Sequence, residues 1–516
     1  MTPADLVLLD GNVITMNPEM PSAQAIAVKG NRISYVGSNQ KVRHYINKKT
    51  RVLYLDGKTV LPGFIDTHAH VVDYGRMLTW LDLSKVFSIK DIQTQLTKRV
   101  KQLGKGRWVL GRGLNFEGLL EGRLLLCQDL DEVASDNPVV FYCASGQVCV
   151  VNSKVLEVAN IGPQTDSGIE RTSVGKPTGV LRDQATNFVW DIIPEPTQQE
   201  LYEATVLALD NFVQVGITSV HWMVLSEVEL FIIQKLVETG SLPLRVYLVV
   251  PTNLLDLALR NLKQLENERF KLGGAVIFVD GYLASRTAAL FEPYSDSPVD
   301  QGKMLCQPSE IFALADKIQN AGLQLIIHAV GDKAIQETIN VLQHINRNST
   351  VPCPRMEQAA VLNPQLIRCI KELDVSVSIQ PCVVASEFSV WAAKKRLDEK
   401  RVCHLFPIKE LLTYGVLVSA GSDCPMEPLN PLLGVRAAVK REDTQSVSIF
   451  EALQMYTISA AQGTSEIADK GSIEQGKIAD IVILSNNPLS MTVDKIVDEC
   501  FVCFTVIDGI VSCPNK

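Results

Sequence analysis

The chain has 516 residues, of which 46% are hydrophobic and 21% charged; this size fits one large barrel plus an accessory domain and excludes a mostly disordered chain. Lys and Arg number 49 against 57 Asp and Glu, a net charge of −8, so there is no basic footprint for nucleic acid. No apolar run reaches bilayer-spanning length and residues 1–16 have no basic stretch before an apolar core, so neither a membrane partner nor a signal peptide is expected; twelve scattered cysteines read as reduced thiols of a cytoplasmic protein.

Residues 1–58 read as short antiparallel hairpins. DLVLLDGNVITM, AQAIAVKGNRISYVG and RVLYLDGKTVLPG alternate apolar positions and break at Asp-Gly and Gly-Asn turns. Residues 59–465 alternate short apolar runs with helical stretches, the pattern of βαβ units around a parallel sheet. The candidate strands are TVLPGFID, GITSVHW, RVYLVV, AVIFVDG, LQLIIHAV, PRMEQ, VSVSIQP and VLVSAGSD, with helices predicted at 197–215 and 308–321. PRMEQ has the weakest strand pattern. Eight units predict an α/β fold of the (β/α)8 TIM-barrel type. A doubly wound open sheet is the rival, but no GxGxxG follows the first strand and no P-loop occurs. Residues from about 76 to 195 fall outside this rhythm and predict an inserted subdomain after the first strand. Residues 466–516 return to sheet texture in KIADIVILSNNP and CFVCFTVIDGIVS, so both chain ends are expected to build one small β-sandwich.

Only seven histidines occur, and four donors of metal-binding type fall at predicted strand ends. His68 and His70 close the first strand in LPGFIDTHAH, where alternate residues share a face and can turn toward one ion. His328 ends the fifth strand in LQLIIHAV, and Asp423 ends the eighth in VLVSAGSD. Catalytic groups of such barrels sit at these carboxy-terminal strand ends. Taken alone, an HxH pair reads more readily as two polar loop residues than as a metal site. His221 ends the second strand and faces either substrate or metal, or else is a core histidine donating to a backbone carbonyl. Cys382 and Cys424 sit at the seventh and eighth strand ends, where a soft-metal ligand or nucleophile competes with a buried inert thiol. His44, His344 and His404 lie in polar, helix-like surroundings and read as surface residues.

The runs LPGFIDTHAH, VDGYLASRTAAL, IIHAVGDKAI, VSAGSDCPMEPLNPLLGVRAAVKRED and ISAAQGTSEIADKGSIEQGKIADIVILSNNP together resemble the amidohydrolase superfamily. The amidohydrolase-3 branch, which includes N-substituted formamide deformylases, is the nearest likeness, and it covers nearly the whole chain. Relatives bind one or two divalent ions, usually zinc. The resemblance implies that His68 and His70 are the first-strand ligands, His328 the fifth-strand ligand, and Asp423 the carboxylate that touches metal and shuttles the proton of the attacking water. It implies a small-molecule substrate, and a homodimer as relatives often form.

The chain departs from that pattern at three positions. Val276 in AVIFVDG stands where two-metal relatives carry a bridging lysine in a run resembling VKLFADG. Gln358 in RMEQAA replaces the histidine of a run resembling RIEHAQ. Gln147 in CASGQVCVVNS replaces a substrate-facing histidine of a run resembling VDGHAALVNS. An alkyl group cannot be carboxylated, and an amide is a poor zinc ligand beside imidazole. One ion per chain is therefore expected, with zinc first and iron or manganese as alternatives. Asp183 in GVLRDQA is a candidate supporting carboxylate or else a turn residue packed on Arg182. Arg286 in LASRTAAL reads as a loop-structuring residue, and Gly331-Asp332 as the turn that orients His328. The expected function is hydrolysis of a C–N bond in an amide, formamide or amidine. The alternative is a catalytically silent barrel that binds a ligand or protein; dihydropyrimidinase-like members show that the superfamily can lose its metal and persist as a structural protein.

Overall fold

The computed structural model describes residues 2–115, 118–143, 148–161, 168–182, 185–345, 350–389, 393–441 and 443–513. Asp183 and Gln147 lie outside them. The chain divides into two compact units, Met1–Val71 with Leu209–Lys516, and Val72–Ala208.

In the first unit both chain ends build sheets. Leu6–Leu9, Ala25–Lys29, Arg32–Gly37 and Arg51–Tyr54 form a four-stranded sheet, and a six-stranded sheet combines Asn12–Ile14, Ser22–Ala23 and Thr59–Pro62 with Ile481–Leu484, Val502–Ile507 and Ile510–Ser512. Period-two side-chain alternation explains the packing. Leu6, Leu8, Ile26 and Val28 bury against Val60, Ile481 and Ile483, while Val7, Leu9, Ala25 and Ala27 bury against Val42 on the opposite face.

The run predicted as the first barrel strand is two strands. Thr59–Pro62 pairs with Ile481–Leu484 in the sandwich, and the barrel strand begins at Phe64. The break falls at Gly63, where a Cβ would lie 2.2 Å from the Thr218 hydroxyl, so only glycine lets the chain cross there.

The barrel strands are β1 (Phe64–Ala69), β2 (Ile217–Met223), β3 (Arg245–Pro251), β4 (Phe270–Phe278), β5 (Gln324–Ala329), β6 (Arg355–Gln358), β7 (Ser376–Ile379) and β8 (Val418–Ala420). They form one eight-stranded sheet in chain order, every neighbouring pair parallel. The edges β1 and β8 meet just past β8, where the Asp423 N–H donates to the His68 carbonyl (2.8 Å) and the His70 N–H to the Cys424 carbonyl (2.9 Å). Strands such as β2 and β5 are buried along their whole length, which is why they read as continuous apolar runs rather than alternating ones. The predicted helices are observed at Gln198–Gln214 and Pro308–Asn320. The second begins with Pro at its first turn and a Gln307/Glu310 capping box. PRMEQ, weakest by pattern, is strand β6, held in register by β5 and β7.

The second unit has its own six-stranded mixed sheet of Leu81–Asp82, Val109–Leu114, Val139–Cys143, Val148–Val151, Ile169–Arg171 and Pro177–Arg182. The helices Ile89–Leu103 and Cys127–Ala134 cover it through Ile92, Leu96 and Leu130, which pack on Phe141 and Val180. Among the described residues no helix is long and apolar enough to cross a membrane. None of the twelve cysteines is in a disulfide. Cys500 and Cys503 have CxxC spacing, but Cys500 is extended and the two thiols bond separate carbonyls, of Asn486 and Phe501.

Candidate metal centre

Two turns at the strand ends bring the first donors together. Asp66, on β1, is fully buried, and its Oδ1 accepts from the N–H groups of His68 (3.1 Å) and Ser422 (2.9 Å), tying the end of β1 to the segment after β8. Gly421 is obligatory in that close approach, because a Cβ there would stand 2.5 Å from the His68 nitrogen. Asp423 then turns through the left-handed region at φ 60°, a conformation that a short Asp tolerates better than most residues. Its Oδ1 lies 3.6 Å from His68 Nε2 and 3.4 Å from His70 Nε2. One ligand atom from each of these three residues falls within 4.8 Å of the other two.

Beneath them runs a buried polar chain. His68 Nδ1 lies 3.1 Å from Glu357 Oε2. Glu357 pairs with Arg355 two residues earlier on β6 (2.6 Å) and accepts from the Gln380 amide (3.3 Å). Arg355 in turn donates to His221 Nδ1 at 2.7 Å. All of these side chains are buried. Burial opposes ionisation of Glu357, yet the Arg355 guanidinium and His68 outweigh it and hold the carboxyl at about 2. Burial also works against a charged His68, but Glu357 and Asp423 raise its pKa. His221 is pushed well below the usual histidine value by burial and Arg355, so it is neutral. It therefore accepts from a guanidinium, which differs from both expectations, a substrate- or metal-facing ring and a donor to a backbone carbonyl.

His328 ends β5 and is buried, its ring 5.3 Å from Phe278 and 5.2 Å from Tyr282. It does not join the compact group of His68, His70 and Asp423. Both of its ring nitrogens lack a hydrogen-bond partner, as does His70 Nδ1. Burial and nearby His68 lower the His328 pKa to about 4, leaving a neutral imidazole with a lone pair to offer. Buried nitrogens without partners are costly. A nearby cation offsets that cost, so this donor set of imidazoles and a carboxylate fits a divalent ion.

The remaining sequence candidates divide clearly. Asp332 accepts from the N–H groups of Phe291 and Lys333 instead of orienting His328. The tie between loops comes from Asp280, which accepts from Val330, Gly331 and Ala289 N–H groups at 2.8–2.9 Å. Arg286 pairs with Asp296 at 2.7 Å on the surface. Val276 is buried in an apolar cluster with Met223, Tyr247, Val249 and Ile326. Gln358 is buried, at φ 70°. Burial raises the thiol of Cys382 to about 12 and that of Cys424 well above the ordinary value, which removes the thiolate a nucleophile needs. His44 and His344 are exposed, whereas His404 is half-buried.

Arg355, Glu357, Asp66 and Asp280 escaped the sequence reading. A signal for two of them was present: Arg and Glu at alternate positions of a short strand share a face, and on a buried strand that implies an internal ion pair.

Compared with known proteins, the chain matches the Amidohydrolase family over residues 51–512. It is 28% identical to the N-substituted formamide deformylase of Arthrobacter pascens, over 98% of each chain. It is 29% identical to Protein LONG AFTER FAR-RED 3 of Arabidopsis thaliana, over 94% of this chain and 88% of that one. The solved structure of an uncharacterized metal-dependent hydrolase from Pyrococcus furiosus superposes with a TM-score of 0.76 at 29% identity, covering 94% of this chain and 100% of that one.

Proposed function

Because the chain belongs to the amidohydrolase family, we propose that it hydrolyses a C–N bond of a small amide, formamide or amidine with one divalent ion, zinc first, held by His68, His70, Asp423 and His328. The observation that carries this reading is the approach of His68 Nε2 and His70 Nε2 to one oxygen of Asp423, at 3.6 and 3.4 Å. A divalent ion bound there supplies a Lewis acid that polarises the scissile carbonyl or amidine and lowers the pKa of water. Asp423 accepts the proton of the attacking water and delivers it to the leaving nitrogen, the general acid–base role its position suits. Similarity to the Arthrobacter deformylase supports formamides as the first substrates to try. The apolar packing around Val276 supports one ion over two, because no bridging lysine stands there.

The test is metal content by plasma mass spectrometry of the purified protein and of His68→Ala, with formate release from N-substituted formamides. The expected result is about one ion per wild-type chain, lost in the variant. No bound ion after supplementation with zinc, manganese or iron would favour a silent binding scaffold. Near two would require a bridging ligand from another position, because the Val276 side chain has no donor atom.

A further inference from the structure

We infer that Glu357, braced by Arg355, is a positioning residue that fixes which nitrogen of His68 is offered to the ion. The inference rests on the metal reading above and concerns how the site is held in shape.

Glu357 Oε2 meets His68 Nδ1 at 3.1 Å. The contact joins β1 to β6, strands that are not neighbours in the sheet. With the Arg355 guanidinium on its other oxygen at 2.6 Å, the Glu357 carboxylate accepts at Oε2, which places a hydrogen on Nδ1. In the neutral ring that binds a metal, Nε2 then holds the lone pair on the side of Asp423 Oδ1, 3.6 Å away. With the proton on the other nitrogen, Nε2 would have no lone pair to give, and rotating the ring to present Nδ1 would abandon the Glu357 contact. A ligand histidine tied through its second nitrogen to a carboxylate is thereby set in tautomer and rotation together.

The carboxylate is itself held. Arg355 reaches Glu357 Oε1 at 2.6 Å, and the Gln380 amide reaches Oε2 at 3.3 Å. Neither charged side chain has appreciable access to water. Arg355 is anchored in turn by His221 Nδ1 at 2.7 Å, which spends the lone pair that His221 would need as a ligand. Along the series His221, Arg355, Glu357, His68, only the last side chain faces the ion, and the other three hold it in place. A buried ion pair adds little to stability compared with apolar residues of similar volume, so its presence here is better explained by the geometry it imposes.

The test compares zinc affinity, by chelator competition on metal-free protein, in the wild type, Glu357→Gln, and the pair replacement Glu357→Leu with Arg355→Met. The pair replacement leaves no unpaired buried charge and is the variant expected to fold if the single change does not. The expected result is a loss of about 10- to 100-fold in zinc affinity, larger for the pair replacement, while its metal-free unfolding midpoint stays near that of the wild type. Wild-type zinc binding with undiminished affinity in the folded pair replacement would overturn the positioning role and leave the metal reading intact. Absence of zinc binding by the wild type itself would overturn both. A crystal structure of the zinc-loaded wild type is independent of variant folding: Nε2 as the His68 ligand supports the inference, and Nδ1 as the ligand sinks it.

Discussion

At the amino-terminal end of the barrel, Arg245 opens β3 and donates to Asp480 at 2.8 Å and to Asp508. Asp508 also takes Arg269 at 2.7 Å, and nearby Lys470 pairs with Glu466 at 3.0 Å while donating to the Ser219 hydroxyl. Toward the carboxy-terminal end, β1, the residue that follows it and β5 carry polar atoms left without partners: both nitrogens of His328, Nδ1 of His70 and Oδ2 of Asp66. The contrast lies in how completely the polar groups are satisfied. Completed pairing fastens the terminal sheet to the barrel. Incomplete pairing leaves buried polar atoms unsatisfied, which costs stability and is what a ligand site requires.

The sharpest way to break this contrast is at the open end. Asp423→Asn is expected to lower turnover about a thousandfold or more, the size of a lost proton-transfer group, with the unfolding midpoint little changed. Full turnover in that variant would place the chemistry elsewhere. At the closed end, Arg245→Met strands Asp480 and Asp508 without their shared cation and should cost about 3–5 kcal/mol in chemical denaturation. The metal content of the folded fraction should not change, and a parallel loss of metal would show that the two ends are coupled.

A third prediction concerns pH. Burial opposes ionisation of Glu466, but Lys470 prevails and lowers its pKa. A carboxylate lowered in the folded state contributes stability above the ordinary glutamate pKa and loses it as pH falls through the lowered value. Denaturation measured from neutral pH down into that acidic window should therefore show a fall that Lys470→Met diminishes. An unchanged slope would remove this pair from the account. The smallest effect is expected at the surface, where Arg286 pairs with Asp296. Arg286→Ala should leave the unfolding midpoint little changed and kcat/KM unaltered, whereas a tenfold fall in kcat/KM would make Arg286 a substrate contact.

The eight strands were legible because a strand buried on both faces must be apolar along its length, and that run is local information. The placement of His68, His70, His328 and Asp423 at strand ends followed from the same runs, since each residue sits where its own strand stops. What no local pattern carries is contact across the sequence. Glu357 meets His68 from 289 residues away, so PRMEQ looked like a poor strand when its two charges are partners inside the barrel. The division of TVLPGFID into a sandwich strand and a barrel strand depended on Thr218 crowding Gly63. His328 stands apart from the three-residue cluster, its ring beside Phe278 and Tyr282. By itself the sequence determined which residues reach the mouth of the barrel, because hydrophobic periodicity sets where each strand ends. Which of them meet, and which buried charges hold them there, was decided only by the closed tertiary structure, because barrel closure is what brings the two edges of the sheet and their side chains within bonding distance.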